Sequence, residues 1–160
     1  MRSSTLLLVA ILLAGCGGPW GPLAGGRLAG TQASSPVRDW SFANEYPLME
    51  IEVRPADPYS VKVHSYVVDG RLYVEAGENG WSRWRGMLHE DPRARVRFGE
   101  TVYPVRAVPI TEPSEIARVL PPFYAKDSDE PSPACRATWD AATCAFEGTF
   151  YRLESPPAAS

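Results

Sequence analysis

Hydrophobic and polar residues alternate with two distinct periods along this chain, and the densest patterning lies between Trp81 and Ile110. Trp81, Trp84, Met87 and Leu88 recur at the spacing of one helical face, which predicts a short amphipathic helix. Asp91-Pro92 ends it, because the residue before a proline is pushed out of the helical region. Two alternating strands follow, Arg93 to Phe98 and Thr101 to Ile110, joined through Gly99-Glu100. Val96 and Phe98 point to one side, and Arg93, Arg95 and Arg97 alternate with them.

The same periods organise the flanks. Val37 to Phe42 predicts a short strand with Trp40 and Phe42 on one face. Met49 to Val53 puts Met49, Ile51 and Val53 on one side and Glu50 and Glu52 on the other, a face read as solvated. Pro55-Ala56-Asp57-Pro58 turns the chain. Tyr59 to Val68 and Arg71 to Ala76 flank Asp69-Gly70, a hairpin signal because both turn positions favour positive φ. Thr111 reads as the cap of a second helix, with Pro113 in its first turn and Ile116, Val119 and Leu120 as its apolar face. Pro121-Pro122 is expected to end it. Tyr124 to Ala142 reads as an irregular excursion and Phe146 to Leu153 as the last strand. The fold class is mainly β with short helices: six to seven antiparallel strands plus two short helices, forming a small barrel.

The start of the chain follows a different pattern. Arg2, the apolar run Leu6 to Leu13 and the small residues after it have the make-up of a secretory signal, too short to span a bilayer. Leu13-Ala14-Gly15-Cys16 resembles the bacterial lipoprotein signal. That resemblance implies cleavage after residue 15, lipidation of Cys16 and anchoring at the periplasmic face of the cell envelope. With Gly17 rather than Asp next, it implies the outer membrane in a Gram-negative cell. Several acyl chains anchor firmly where one would be marginal. Residues 16–35 are rich in Gly, Ala and Pro and read as a flexible tether. The alternative is that Leu23 and Leu28 dock on the barrel, their glycines permitting close backbone approach. Residues 36–154 then form one domain and 155–160 a tail.

Composition narrows the chemistry. A formal net charge of −3 argues against nucleic acid as a partner. If Cys16 carries lipid, Cys135 and Cys144 remain as an even pair in an oxidising compartment, which predicts a structural disulfide. A redox-active pair is the alternative, without the spacing of a CxxC motif. His64 and His89 are the only histidines and lack the i, i+4 spacing of a helical metal site, so no metal is expected. The chain also lacks a Gly-x-Ser-x-Gly nucleophile elbow.

The central stretch also resembles a known superfamily. Leu88-His89-Glu90-Asp91-Pro92-Arg93, then Val96-Arg97-Phe98-Gly99, then Tyr103-Pro104-Val105-Arg106-Ala107 are similar to the recurrent phrases of split β-barrel flavin-binding proteins. That superfamily includes pyridoxamine-phosphate-oxidase-like proteins and deazaflavin-dependent nitroreductases. The resemblance implies a split β-barrel, FMN as a candidate cofactor, a homodimer and oxidoreductase chemistry. In such proteins Arg, Lys and Ser/Thr on strands and around a helix start hold the phosphate. Here that set is Lys62, His64, Ser82 and Arg83, with Arg85 nearby and Trp84 or Trp81 to stack on the ring. Deazaflavin-dependent relatives carry a Gly-Arg-x-Ser-Gly-type phosphate segment, of which this chain has only Arg54 and Ser60. The resemblance therefore implies FMN ahead of deazaflavin. The alternative function is a cofactor-free binding or scaffold module of the envelope, its small-molecule ligand unspecified.

Overall fold

Strand β2 (Met49–Val53) lies between β3 (Tyr59–Val63) and β6 (Arg93–Phe98) because its inward side chains, Met49, Ile51 and Val53, are all fully buried. The computed structural model describes residues 17–77, 83–126 and 130–157. Along the sheet the order is β3-β2-β6-β7-β8-β5-β4, where β4 is Tyr66–Val68, β5 Arg71–Ala76, β7 Thr101–Pro109 and β8 Thr149–Glu154. Neighbours on this path are antiparallel. A short β1 (Thr31–Gln32) adds to β7 in parallel.

Only His64 and Ser65 separate β3 from β4, yet these strands stand at opposite ends of the path. A two-residue link cannot bridge a flat sheet of this width, so the sheet curls until its ends meet. The strand expected over Tyr59 to Val68 is thus real in its alternation but split in its pairing. Inside the curl, Leu72, Val74, Ala94, Val96, Ala107 and Leu153 pack with the residues of β2.

Both predicted hairpins are present. Asp69 and Gly70 have φ of 51° and 70°, the left-handed pair that a two-residue turn of this type requires. Phe98 faces Thr101 across the second turn, and that register places Arg93 opposite Arg106.

Helix α1 (Arg83–Glu90) turns Trp84 and Leu88 into the core, the face expected from the sequence. Helix α2 (Pro113–Lys126) covers the outer side of β4, β5 and β8, burying Val119 and Leu120 against Tyr66, Tyr73 and Phe150. Helix α3 (Pro133–Thr138) is capped by the Ser132 hydroxyl, which accepts from the Cys135 amide. Cys135 and Cys144 are disulfide-bonded, as predicted, with S–S of 2.03 Å. Among the described residues no helix is long and apolar enough to cross a membrane.

Five expectations need correction. Val37 to Phe42 is not a strand: Ser41–Glu45 is a 3-10 turn. Asp39 drives it by accepting from the Ser41 amide and hydroxyl at 2.9 and 2.6 Å, an arrangement that competes with strand pairing. Trp40 and Phe42 still reach the core, packing with Phe98 and Tyr103. Pro121-Pro122 does not end α2. The prolines remove two amide donors, but Phe123 and Tyr124 just beyond them pack into the second cluster and hold the helical course. The excursion after Tyr124 contains α3, a third helix, nucleated by the Ser132 cap and Pro133.

The face carrying Glu50 and Glu52 is not solvated. Glu52 is fully buried and accepts from Arg95 Nε at 3.0 Å and from the Leu28 amide at 2.6 Å. Finally, the segment before Ser35 is not a free tether. Leu28 is buried, Gly25 and Ser60 exchange backbone bonds of 2.8 Å, and Arg97 donates to the Ala29 carbonyl at 2.8 Å. A Cβ on Gly25 would stand 2.3 Å from the Gly18 backbone, so only glycine permits this close approach.

Candidate functional site

A concavity of about 910 Å³ opens where α1 leans over the ends of β7 and β8. Its charged rim is Arg83 and Arg85 from α1 and Arg106 from β7, with His89 beside them. Its apolar wall is Leu88, Pro92, Ala107, Val108 and Tyr151. No carboxylate lines it among the described residues. The volume falls within the range of small-molecule and cofactor pockets.

Local folding explains why Arg106 stays available. Arg93 and Arg106 are directly opposed across β6 and β7, an arrangement of like charges that is unfavourable unless one is compensated. Asp91 takes Arg93, accepting from Nε at 2.9 Å and from Nη2 at 2.8 Å. The Arg93 side chain and amide hold the Asp91 carboxyl below its usual value, with a smaller contribution from the charge of Arg106. Arg106 is left without an ion pair or side-chain hydrogen bond among the described residues, as is Arg83. Several other arginines are ion-paired: Arg54 with Asp57, Arg95 with Glu52, Arg97 with Glu50, Arg118 with Asp69 and Arg152 with Glu115.

The structure divides the residues singled out from the sequence. Arg83 lines the cavity, and Arg85, noted beside it, does so as well. Trp84 is 4 % exposed, packs in the core and is not part of the cavity's described lining. Lys62 and His64 lie on β3 and just past it, outside the described lining, with Lys62 Nζ 3.8 Å from Glu50. Ser82, Trp81 and Cys16 lie outside the described residues. No group of three metal-ligating side chains occurs among the described residues.

Arg106 is the functional candidate that reading the sequence missed. A signal existed: a two-residue turn at Gly99-Glu100 fixes the register that brings Arg106 beside Arg93. Its place on the cavity rim depends on β7 pairing with β8, whose residues lie far along the chain.

This architecture is a split β-barrel. The chain is similar in structure to a conserved hypothetical protein of Mycobacterium tuberculosis, with TM-score 0.54 and 17% identity, over 81% of this chain and 96% of that one. It is also similar to a proposed pyridoxamine 5′-phosphate oxidase of Listeria innocua, with TM-score 0.51 and 11% identity, over 74% of this chain and 90% of that one. At these identities the likeness establishes the fold. No family model matches the sequence, nor does any curated protein.

Proposed function

We propose that the protein is an envelope lipoprotein, held to the membrane through Cys16, whose barrel binds FMN and works as an oxidoreductase. The observation that carries the cofactor reading is the cavity whose rim holds Arg83 and Arg106, with no carboxylate in its lining among the described residues. Guanidinium groups bind phosphate through paired, charge-assisted hydrogen bonds. The wall of Leu88, Pro92, Ala107 and Tyr151 offers an apolar surface for a planar ring. When bound, the flavin would supply the redox chemistry. The chain's own part is to fix the phosphate, orient the ring and exclude water from one side of it. The Listeria protein of the same fold, with its proposed phosphorylated substrate, supports this direction.

The test is an absorption and fluorescence titration of the purified protein with FMN and, in parallel, riboflavin. Arg106→Ala and Arg83→Ala should each weaken FMN binding by about 1.5–3 kcal/mol, the contribution of a charged hydrogen bond. Riboflavin, which lacks the phosphate, should bind parent and variants alike. Equal FMN affinity in all three proteins would remove these arginines from the site. The packing of Trp84 in the core favours a second reading, a cofactor-free binding module. Absence of FMN binding to the parent would select it.

A further inference from the structure

Trp20 and Leu23 are exposed by 81 % and 62 %, although both are large and apolar. They are opposed residues of a tight turn, Trp20 donating to the Leu23 carbonyl at 3.1 Å and Leu23 to that of Trp20 at 3.0 Å. Gly21, at φ 57°, supplies the left-handed step. Directly opposed residues carry their side chains on the same face, so the indole and the isobutyl group project together.

This turn is fastened to the barrel. The Gly26 amide donates to the Gly17 carbonyl at 3.0 Å, Gly25 is bonded to Ser60 in both directions, and Pro19 between them is buried. Between the two apolar side chains stand only Gly21 and Pro22, and Ala24 follows, so the tip carries no charge.

What covers the tip is indicated by where it sits. Cys16 directly precedes Gly17, and consecutive Cα atoms are about 3.8 Å apart. An acylated Cys16 therefore lies one residue from a point pinned to the barrel, and the tip begins four positions further on. Tryptophan favours the membrane interface, where its ring is apolar and its N–H meets water.

We infer that the Trp20–Leu23 turn is a second membrane contact, entering the bilayer interface beside the lipidated Cys16 and fixing how the barrel faces the membrane. The inference rests on the anchoring part of the function proposed above. The lipid provides attachment, and the tip sets orientation.

The experiment uses full-length protein purified in detergent from cell envelopes. The mass of its N-terminal peptide reports acylation. The protein is then placed in phosphatidylethanolamine–phosphatidylglycerol vesicles containing brominated acyl chains, which quench nearby tryptophans. Trp40 and Trp84 are buried and Trp139 is half-buried, and Trp81 is replaced by phenylalanine in every protein compared. Trp20→Phe should therefore remove most of the bromine-dependent quenching, with an unchanged Tm. Acylated, vesicle-bound protein quenched equally with and without Trp20 would overturn the tip contact and leave the anchor standing. An unmodified Cys16 would overturn both. Bromine-insensitive fluorescence together with a dimer that Trp20→Phe dissociates would assign the tip to a second copy and overturn the membrane contact.

Discussion

Glu52 shows how one buried charge can organise a surface. It lies opposite Arg95 in the β2–β6 pairing, while Glu50 lies opposite Arg97, so the two strands share a ladder of alternating charge. The ladder is roofed by the backbone around Leu28, whose amide and carbonyl are taken by Glu52 and Arg95. Removing one partner of a buried pair leaves the other uncompensated, so Glu52→Ala should cost about 3–5 kcal/mol in chemical denaturation. Amide exchange at Leu28 should accelerate in a milder Glu52→Gln variant, because the roof loses its charged acceptor; unchanged exchange would show that Leu28 packing alone holds the segment. None of this was legible from alternation, which assigns Glu50 and Glu52 to the outer face and leaves unstated what lies on top. The covering residues come from more than twenty positions away, and β2 and β6 are not neighbours in sequence.

Glu115 makes a second such link, joining α2 to the sheet through Tyr73 Oη at 2.9 Å and Arg152 Nη1 at 2.6 Å. Burial raises its carboxyl, but the bonds from Arg152 and Tyr73 together outweigh burial and hold it below its ordinary value of 4.5. The same contact, after burial itself, keeps the Tyr73 hydroxyl above its ordinary value. A depressed carboxyl contributes stability that is complete above the unfolded value and disappears as pH falls through the folded one. Glu115→Gln should therefore be less stable at neutral pH by about 1.5–3 kcal/mol. That difference should shrink as pH falls below the ordinary carboxylate range and through the depressed folded value, and a difference independent of pH would rule out the ion pair as its source.

At the scale of elements, what the sequence reveals depends on how local the cause is. The two hairpins, the inner face of α1 and the Cys135–Cys144 bond follow from short-range patterns, and all are present. The bond closes a loop with a sequence separation of 9. Replacing both cysteines by serine should lower stability by about 2–3 kcal/mol on the chain-entropy view. Denaturation midpoints of the oxidised parent and the double variant measure it directly. The continuation of α2 through Pro121-Pro122 was illegible because its cause is tertiary: Phe123 packs edge-on against Tyr66, Phe146 and Phe150, which come from β4, the loop before β8 and β8 itself. The break at His64-Ser65 was hidden for another reason. Alternation carries through it unchanged, and only the identity of the pairing partner switches.

For the whole molecule, the candidate site is a product of distant pairing. Its arginines come from α1 and β7, and Tyr151 comes from β8, so the cavity exists only once β7 has paired with β8 and α1 lies over them. Arg83, singled out from the sequence, lines the cavity, whereas Lys62 and His64 lie outside its described lining. Period two can show that residues share a face, but it cannot show which part of a closed surface that face covers. If the rim arginines hold a phosphate, FMN affinity should fall as salt rises from 0.05 to about 0.5 M, since exposed charges are screened over roughly a Debye length. Riboflavin affinity should stay level, and a parallel fall for both ligands would argue against phosphate recognition.

The docked N-terminal segment also sets an order of events. Its partners Arg95, Arg97 and Glu100 are made almost seventy residues after Leu28 and Ala29. This early segment can therefore be fully seated only after β6 and β7 have formed, when the loop-closure cost of such distant contacts has been met. A nascent chain halted before Arg93 should leave this segment open to protease, and one extended beyond β7 should protect it.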